Sequence, residues 1–223
     1  MPDGATDDTP AAGPAAPTPI ATPDSEILAQ QLRGANGEQR LAAAWSLPDR
    51  DDIPVRTRVA LLVEGLDHEI REPAQGSSPT GSYLPPSSYA RLHLTRALSE
   101  LGSGAISALR EAADGASGEA REHILVALVY AGDRDVIPQV RELATQASSP
   151  AVRMDAARAL GQAEDRDAIP QLEAALQDSY VVTGEDDLGA YTLYPVREQA
   201  AAALRALGVT VERLGDGAFE IGE

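Results

Sequence analysis

Apolar residues in this chain recur at steps of three and four, the spacing that gathers side chains onto one face of an α-helix. Val55, Val59, Leu62 and Leu66 form one such stripe. Turn residues cut the periodic stretches into a series of predicted helices. A short one over 26–32 follows Asp24 and Ser25, which can cap it, and stops at Gly34. Helical pairs follow over 38–47 and 53–69, 88–101 and 105–113, 119–131 and 136–147, and 151–163 and 168–177. A last unpaired helix over 196–207 ends at Gly208. Pro54 falls in the opening turn of its helix, where a missing N–H costs nothing.

The turns within these pairs repeat. Asp-Arg-Asp-x-Ile-Pro occurs at Asp49–Pro54, Asp133–Pro138 and Asp165–Pro170, the last two copies 32 residues apart. The same offset maps Arg121 onto Arg153, Ile137 onto Ile169 and Gln139 onto Gln171. A fixed period of helical hairpins predicts an all-α fold, an α-solenoid in which each repeat buries its apolar face against its neighbours. In the third and fourth turns the aspartate before the Ile-Pro step stands where it can cap the second helix.

Two stretches break the period, each after a second helix. Residues 71–86 are rich in Gly, Pro and Ser, and residues 179–194 place an acidic turn between two β-prone runs, which predicts a hairpin. Five of the six tyrosines lie in or beside these insertions: Tyr83, Tyr89, Tyr180, Tyr191 and Tyr194. Residues 209–223 have a similar strand–Gly-Asp-Gly–strand pattern, so a second hairpin is expected at the carboxyl end. Isolated two-stranded ribbons are marginal, so the two are expected to lie together over the last helix as its cap. The predicted organisation is a Pro/Ala/Thr-rich disordered tail (1–24), a solenoid (25–208) with insertions at 71–86 and 179–194, and the hairpin cap (209–223).

The runs Pro150-Ala-Val-Arg153-Met-Asp-Ala156-Ala157-Arg-Ala-Leu160-Gly161 and Pro195-Val196-Arg197-x-x-Ala200-Ala201-x-Ala203-Leu204, with Ala168-Ile169-Pro170-x-Leu172 between them, resemble the HEAT-like repeats named after phycobilisome lyases. The resemblance is specific over about 118–208 and looser over 38–117. It implies antiparallel helix pairs in a right-handed superhelix, usually serving binding. It also implies that Arg121, Arg153 and Arg197 bond to an acidic turn residue of an adjacent repeat, Asp133 and Asp165 being the available partners; an anion-binding ladder is the alternative. Bilin lyases, a DNA glycosylase class and deoxyhypusine hydroxylase share the repeat, so it does not assign chemistry.

Composition narrows the choice. The net charge is −17, and all 18 basic residues are arginine. Nucleic-acid binding would need a basic stripe to overcome that field, and none stands out, so no nucleic-acid partner is expected. No apolar run approaches the roughly 20 residues of a spanning helix, so no membrane insertion is expected. The amino-terminal tract has neither the basic nor the apolar region of a signal peptide. The expected location is cytoplasmic, with export after loss of a leader as the alternative. There is no cysteine, which excludes disulfides and thiolate metal sites.

His68, His93 and His123 stand on three different helices, and only His68-Glu69 matches the His-Glu pairs of the hydroxylase. The pairs Asp51/Asp52 and Asp186/Asp187 fall in turns expected to be wet. No catalytic, metal or cofactor residue is therefore assigned, and the chain is read as a non-enzyme. The expectation is a scaffold that holds a protein or peptide against its concave second helices, through Gln139, Arg141, Gln171 and Glu173, and against Tyr83, Tyr89, Tyr180, Tyr191 and Tyr194. Tyrosine offers large contact area at little entropic cost, though the same rings could simply pin long loops. A bilin lyase-like or other ligand-handling enzyme is the alternative.

Overall fold

The computed structural model describes residues 23–34, 36–73, 86–186 and 189–222. Among them ten helices run in chain order: α1 (Pro23–Arg33), α2 (Gly37–Ser46), α3 (Val55–Arg71), α4 (Pro86–Glu100), α5 (Ile106–Gly115), α6 (Gly118–Tyr130), α7 (Ile137–Gln146), α8 (Pro150–Gln162), α9 (Ile169–Ala175) and α10 (Pro195–Ala206). Short 3-10 turns precede α5 and α9, and α9 ends two residues sooner than its sequence pattern predicts. Tyr83 and most of the 71–86 insertion lie outside the described residues.

Local chemistry sets the helix ends. Asn36 starts α2 by accepting the Glu38 and Gln39 amides on Oδ1, at 2.9 and 3.2 Å. Three first helices stop in one way: the chain turns left-handed at Gly132, Glu164 and Gly208, with φ of 97°, 54° and 86°. The next amide then reaches back to the helix, Asp133 to the Leu128 carbonyl, Asp165 to Leu160 and Val209 to Leu204, at 2.9, 3.1 and 2.9 Å. This closure delivers Asp133 and Asp165 to fixed positions at the start of the inter-helix turn. Neither α7 nor the 3-10 turn before α9 receives a side-chain cap. The expected capping role of Asp135 and Asp167 is thus not seen: their carboxylates turn to Arg110 and Arg141, while Asp133 Oδ1 accepts the Asp135 amide within the turn at 3.0 Å.

The first helices α2, α4, α6, α8 and α10 pack successively on one another. On the other layer α3 packs on α5, and α7 on α9. α1 lies against α2 and α3, taking the place of a second helix ahead of the first pair. α4 also meets α8 directly, so the first-helix layer curls inward and encloses α6. After a polar opening, α6 is apolar on every side from Ile124 to Val129, and every residue from His123 to Val129 is buried. That matches its sequence, since a helical stretch without a polar face needs neighbours on all sides.

Small residues set the spacing of the layers. A Cβ added at Gly161 would come within 2.8 Å of the Ala203 Cα, so the backbones of α8 and α10 are in near contact. Leucines fill the remaining space, with Leu62, Leu66, Leu98, Leu109, Leu128, Leu160 and Leu204 fully buried, each stabilising by roughly 1.5–3 kcal/mol. One ion pair is enclosed with them: Arg40 of α2 bonds Glu69 of α3 and the carbonyls of Gly34 and Glu72, with side-chain exposures of 2% and 0% for the two charged residues.

Two antiparallel hairpins complete the fold. β1 (Val182–Asp186) pairs with β2 (Gly189–Leu193), setting Val182 opposite Leu193 and Gly184 opposite Tyr191. β3 (Val211–Arg213) pairs with β4 (Phe219–Ile221). The second hairpin is anchored to the last helix: Val211 and Phe219 are buried, and the Arg205 guanidinium of α10 donates twice to the Val211 carbonyl, at 3.0 and 2.8 Å.

Candidate functional site

The arginines that face the turns are structural clamps between repeats. Arg110 of α5 donates to Asp133 at 2.6 and 2.7 Å and to Asp135 at 2.6 Å. One repeat later, Arg141 of α7 does the same to Asp165, at 2.6 Å twice, and to Asp167 at 3.1 Å. The Arg110 guanidinium holds Asp133 below the usual carboxylate range. These are second-helix arginines, not the first-helix set expected. Arg121 instead donates to Gln139, Arg153 to Asp178, and Arg197 to the Asp178 and Gly217 carbonyls. Arg153 reaches both carboxylate oxygens of Asp178, which ties α8 to the start of the second insertion, and Oδ1 also accepts the Tyr180 amide at 2.8 Å.

The spacing that reveals the clamp is present in the sequence. Arg110 and Arg141 each stand four residues after the turn isoleucine, Ile106 and Ile137. In α9 the equivalent position after Ile169 is Glu173, which is exposed, so the series ends where no further acidic turn follows. Of the remaining expected second-helix contacts, Gln139 is exposed and Gln171 has a buried Oε1 without a hydrogen-bond partner. Arg141 is held by its aspartates. These residues lie on the layer opposite the inward curl.

The tyrosines fall into two groups. Tyr89 stands on α4, its ring 4.2 Å from that of His93, and His93 in turn meets Trp45 of α2 edge-on at 5.0 Å. The indole N–H donates to His93 Nδ1 at 3.2 Å, which assigns the ring proton of neutral His93 to Nε2. Burial pushes the His93 pKa down, with a further push from Arg96. Trp45, the one tryptophan of the chain, remains 50% exposed. Sequence reading missed it because a lone tryptophan late in a short helix carries no pattern.

The second group is at the carboxyl end. Tyr180 is packed on the core. Tyr191 crosses to Gly184, where any side chain would collide with its ring. Tyr194 lies against Gly217 of the second hairpin, with the Arg197 guanidinium 4.5 Å above its ring centre. The Tyr194–Gly217 contact joins the two hairpins, and between them an open cleft of about 560 Å³ is lined by Thr192, Tyr194, Arg213, Leu214, Gly215 and Gly217.

Between α4 and α6 a polar cluster is buried. Thr95 meets His123 Nδ1 at 2.8 Å, Arg91 bonds Glu119 at 2.8 Å, and His123 Nε2 lies 3.6 Å from Glu119, too long for a hydrogen bond. His123, helped by Ser149 and Arg91, holds the Glu119 carboxyl down at about 2. Among the described residues no three His, Asp or Glu side chains converge as a metal site, and no helix is long and apolar enough to cross a membrane.

No curated protein matches the chain. Residues 106–184, from the start of α5 into β1, match the family of HEAT repeats, which supports a HEAT-like repeat architecture for this helical array.

Proposed function

We propose that this protein is a non-catalytic scaffold that binds a positively charged protein or peptide segment. The observation that carries the reading is the half-exposed Trp45, packed with partly buried His93 and Tyr89 on neighbouring first helices of a chain with only 4% aromatic residues. Tryptophan and tyrosine dominate the energetics of protein interfaces. A half-exposed indole already oriented by a hydrogen bond loses little freedom when a partner covers it. Charge supplies the partner's sign: net −17, with many of the arginines committed to internal pairs. The tyrosines of the carboxyl-terminal hairpins extend the same reading to a second surface.

The test is affinity capture from host lysate with the wild-type protein beside a Trp45→Ala/Tyr89→Ala double variant, both checked for unchanged helical content. A basic protein retained by wild type and lost by the variant supports the assignment. Identical capture profiles remove the aromatic group from it.

A further inference from the structure

We infer that the Trp45 surface is proton-gated: neutral His93 holds the indole in place, and protonation of His93 sets it free. The consequence for binding rests on the reading of Trp45 as a contact residue, while the gate itself belongs to the chain alone. The lock is one hydrogen bond whose acceptor can vanish. An indole N–H can only donate, and that of Trp45 meets His93 Nδ1 at 3.2 Å. The neutral ring accepts there. An imidazolium carries a hydrogen on both nitrogens, so protonation sets N–H against N–H, and no orientation of the charged ring offers an acceptor.

Tyr89 decides which side chain lets go. Its ring centre lies 4.2 Å from that of His93 on the same helix, and an aromatic face attracts a cation. The charged ring therefore stays with Tyr89. Trp45, on α2, meets His93 only edge-on at 5.0 Å and is 50% exposed, so water is at hand to take the freed N–H. Burial and Arg96, one turn along α4, oppose the imidazolium, while Glu100 favours it. Charged groups on the elements packed against α4 have other partners: Arg40 of α2 holds Glu69 of α3, Glu119 of α6 holds Arg91, and Asp155 of α8 accepts from Tyr130. Because His93 is held below the ordinary 6.5, the lock is complete above that pH and is lost as the pH falls beneath it. An indole that is no longer oriented surrenders more freedom when a partner covers it, so a partner seated on Trp45 is held at neutral pH and let go in mild acid.

Trp45 is the one tryptophan of the chain, so its fluorescence in the isolated protein reads the gate with no partner present. The expected result is a single step in emission and in quenching by acrylamide, centred below pH 6.5, with helical content unchanged. The step coincides with titration of the His93 ring followed by proton NMR. His93→Asn keeps an acceptor near the Nδ1 position and takes up no proton, so its indole stays shielded between about pH 5 and 8. His93→Leu has no acceptor, and its indole is open over the same range. Trp45→Phe removes the donor that favours the neutral ring and raises the His93 pKa, a response that a merely neighbouring group would not show. A step that survives in His93→Asn, or titration of His93 without any step, overturns the gate. A partner captured through Trp45 that stays bound in mild acid, with the step present, overturns its regulatory role. A step with no Trp45-dependent partner at any pH overturns the contact reading instead and leaves the gate standing.

Discussion

Arg141 closes on both oxygens of Asp165, Nε 2.6 Å from Oδ2 and Nη2 2.6 Å from Oδ1, so the second helix of one repeat grips the turn of the next. The pair is largely shielded, with side-chain exposures of 23% and 10%, and its planar geometry suits guanidinium and carboxylate. Removal of either partner by Asp165→Ala or Arg141→Ala is expected to cost about 1.5–3 kcal/mol. The double variant should lose less than the sum of the two. Urea unfolding of the four proteins in this cycle measures the coupling directly.

Gly161 is where α8 and α10 come closest. A methyl group there meets the Ala203 backbone, so Gly161→Ala forces the helices apart despite the better helix propensity of alanine. The expected net loss is roughly 1–3 kcal/mol. A drop in thermal midpoint, with Ala203→Gly tested as a compensating second change, checks it.

Glu164 does the opposite. It holds the left-handed position at the end of α8 that glycine fills after α6 and α10. Glu164→Gly relieves the Cβ strain and surrenders part of the gain to chain entropy, for a net stabilisation of about 0.5–1 kcal/mol. A rise in the unfolding midpoint without change in slope is the expected result.

The Arg40–Glu69 pair is fully enclosed. Glu69→Ala strands a buried guanidinium and should cost about 3–5 kcal/mol, while replacement of both residues by apolar ones of similar size costs much less. Comparison of the single and double variants by chemical denaturation separates the cost of a stranded charge from the worth of the pair.

Glu119 sets an acid limit. Its carboxyl is held at about 2 in the folded chain against an ordinary 4.5, so the folded state binds this proton less readily than the unfolded one. The stabilisation is complete above about pH 4.5 and is lost as pH falls toward 2. Glu119→Gln should flatten that part of the stability profile, measured by thermal melts between pH 2 and 6.

The helices and both hairpins were legible because they depend on local pattern: 3.6-residue periodicity, Gly at helix ends, and alternation around Gly-Asp-Gly. The partners of the arginines were not. A sequence offset of 32 identifies equivalent positions without saying which of two acidic turns each one faces, and Arg121 and Arg153 turned to Gln139 and Asp178 where Asp133 and Asp165 were expected. The turn aspartates misled for the same reason, since capping is local and their bonds to Arg110 and Arg141 cross between repeats. Trp45 and His93 came together from helices 48 residues apart in the chain, a meeting fixed by how α2 stacks on α4 and therefore invisible to spacing.

The enclosure of α6 limits how this array can vary. Repeat proteins gain and lose units readily when each touches only its neighbours in line, but here α4 and α8 touch across the unit between them. Excision of the α6–α7 pair would leave two first helices whose facing sides were shaped around a helix buried from His123 to Val129, and duplication would insert a second such helix where only one can be covered. Growth by whole units is therefore confined to the ends of the chain, and the centre is a keystone whose length is not negotiable.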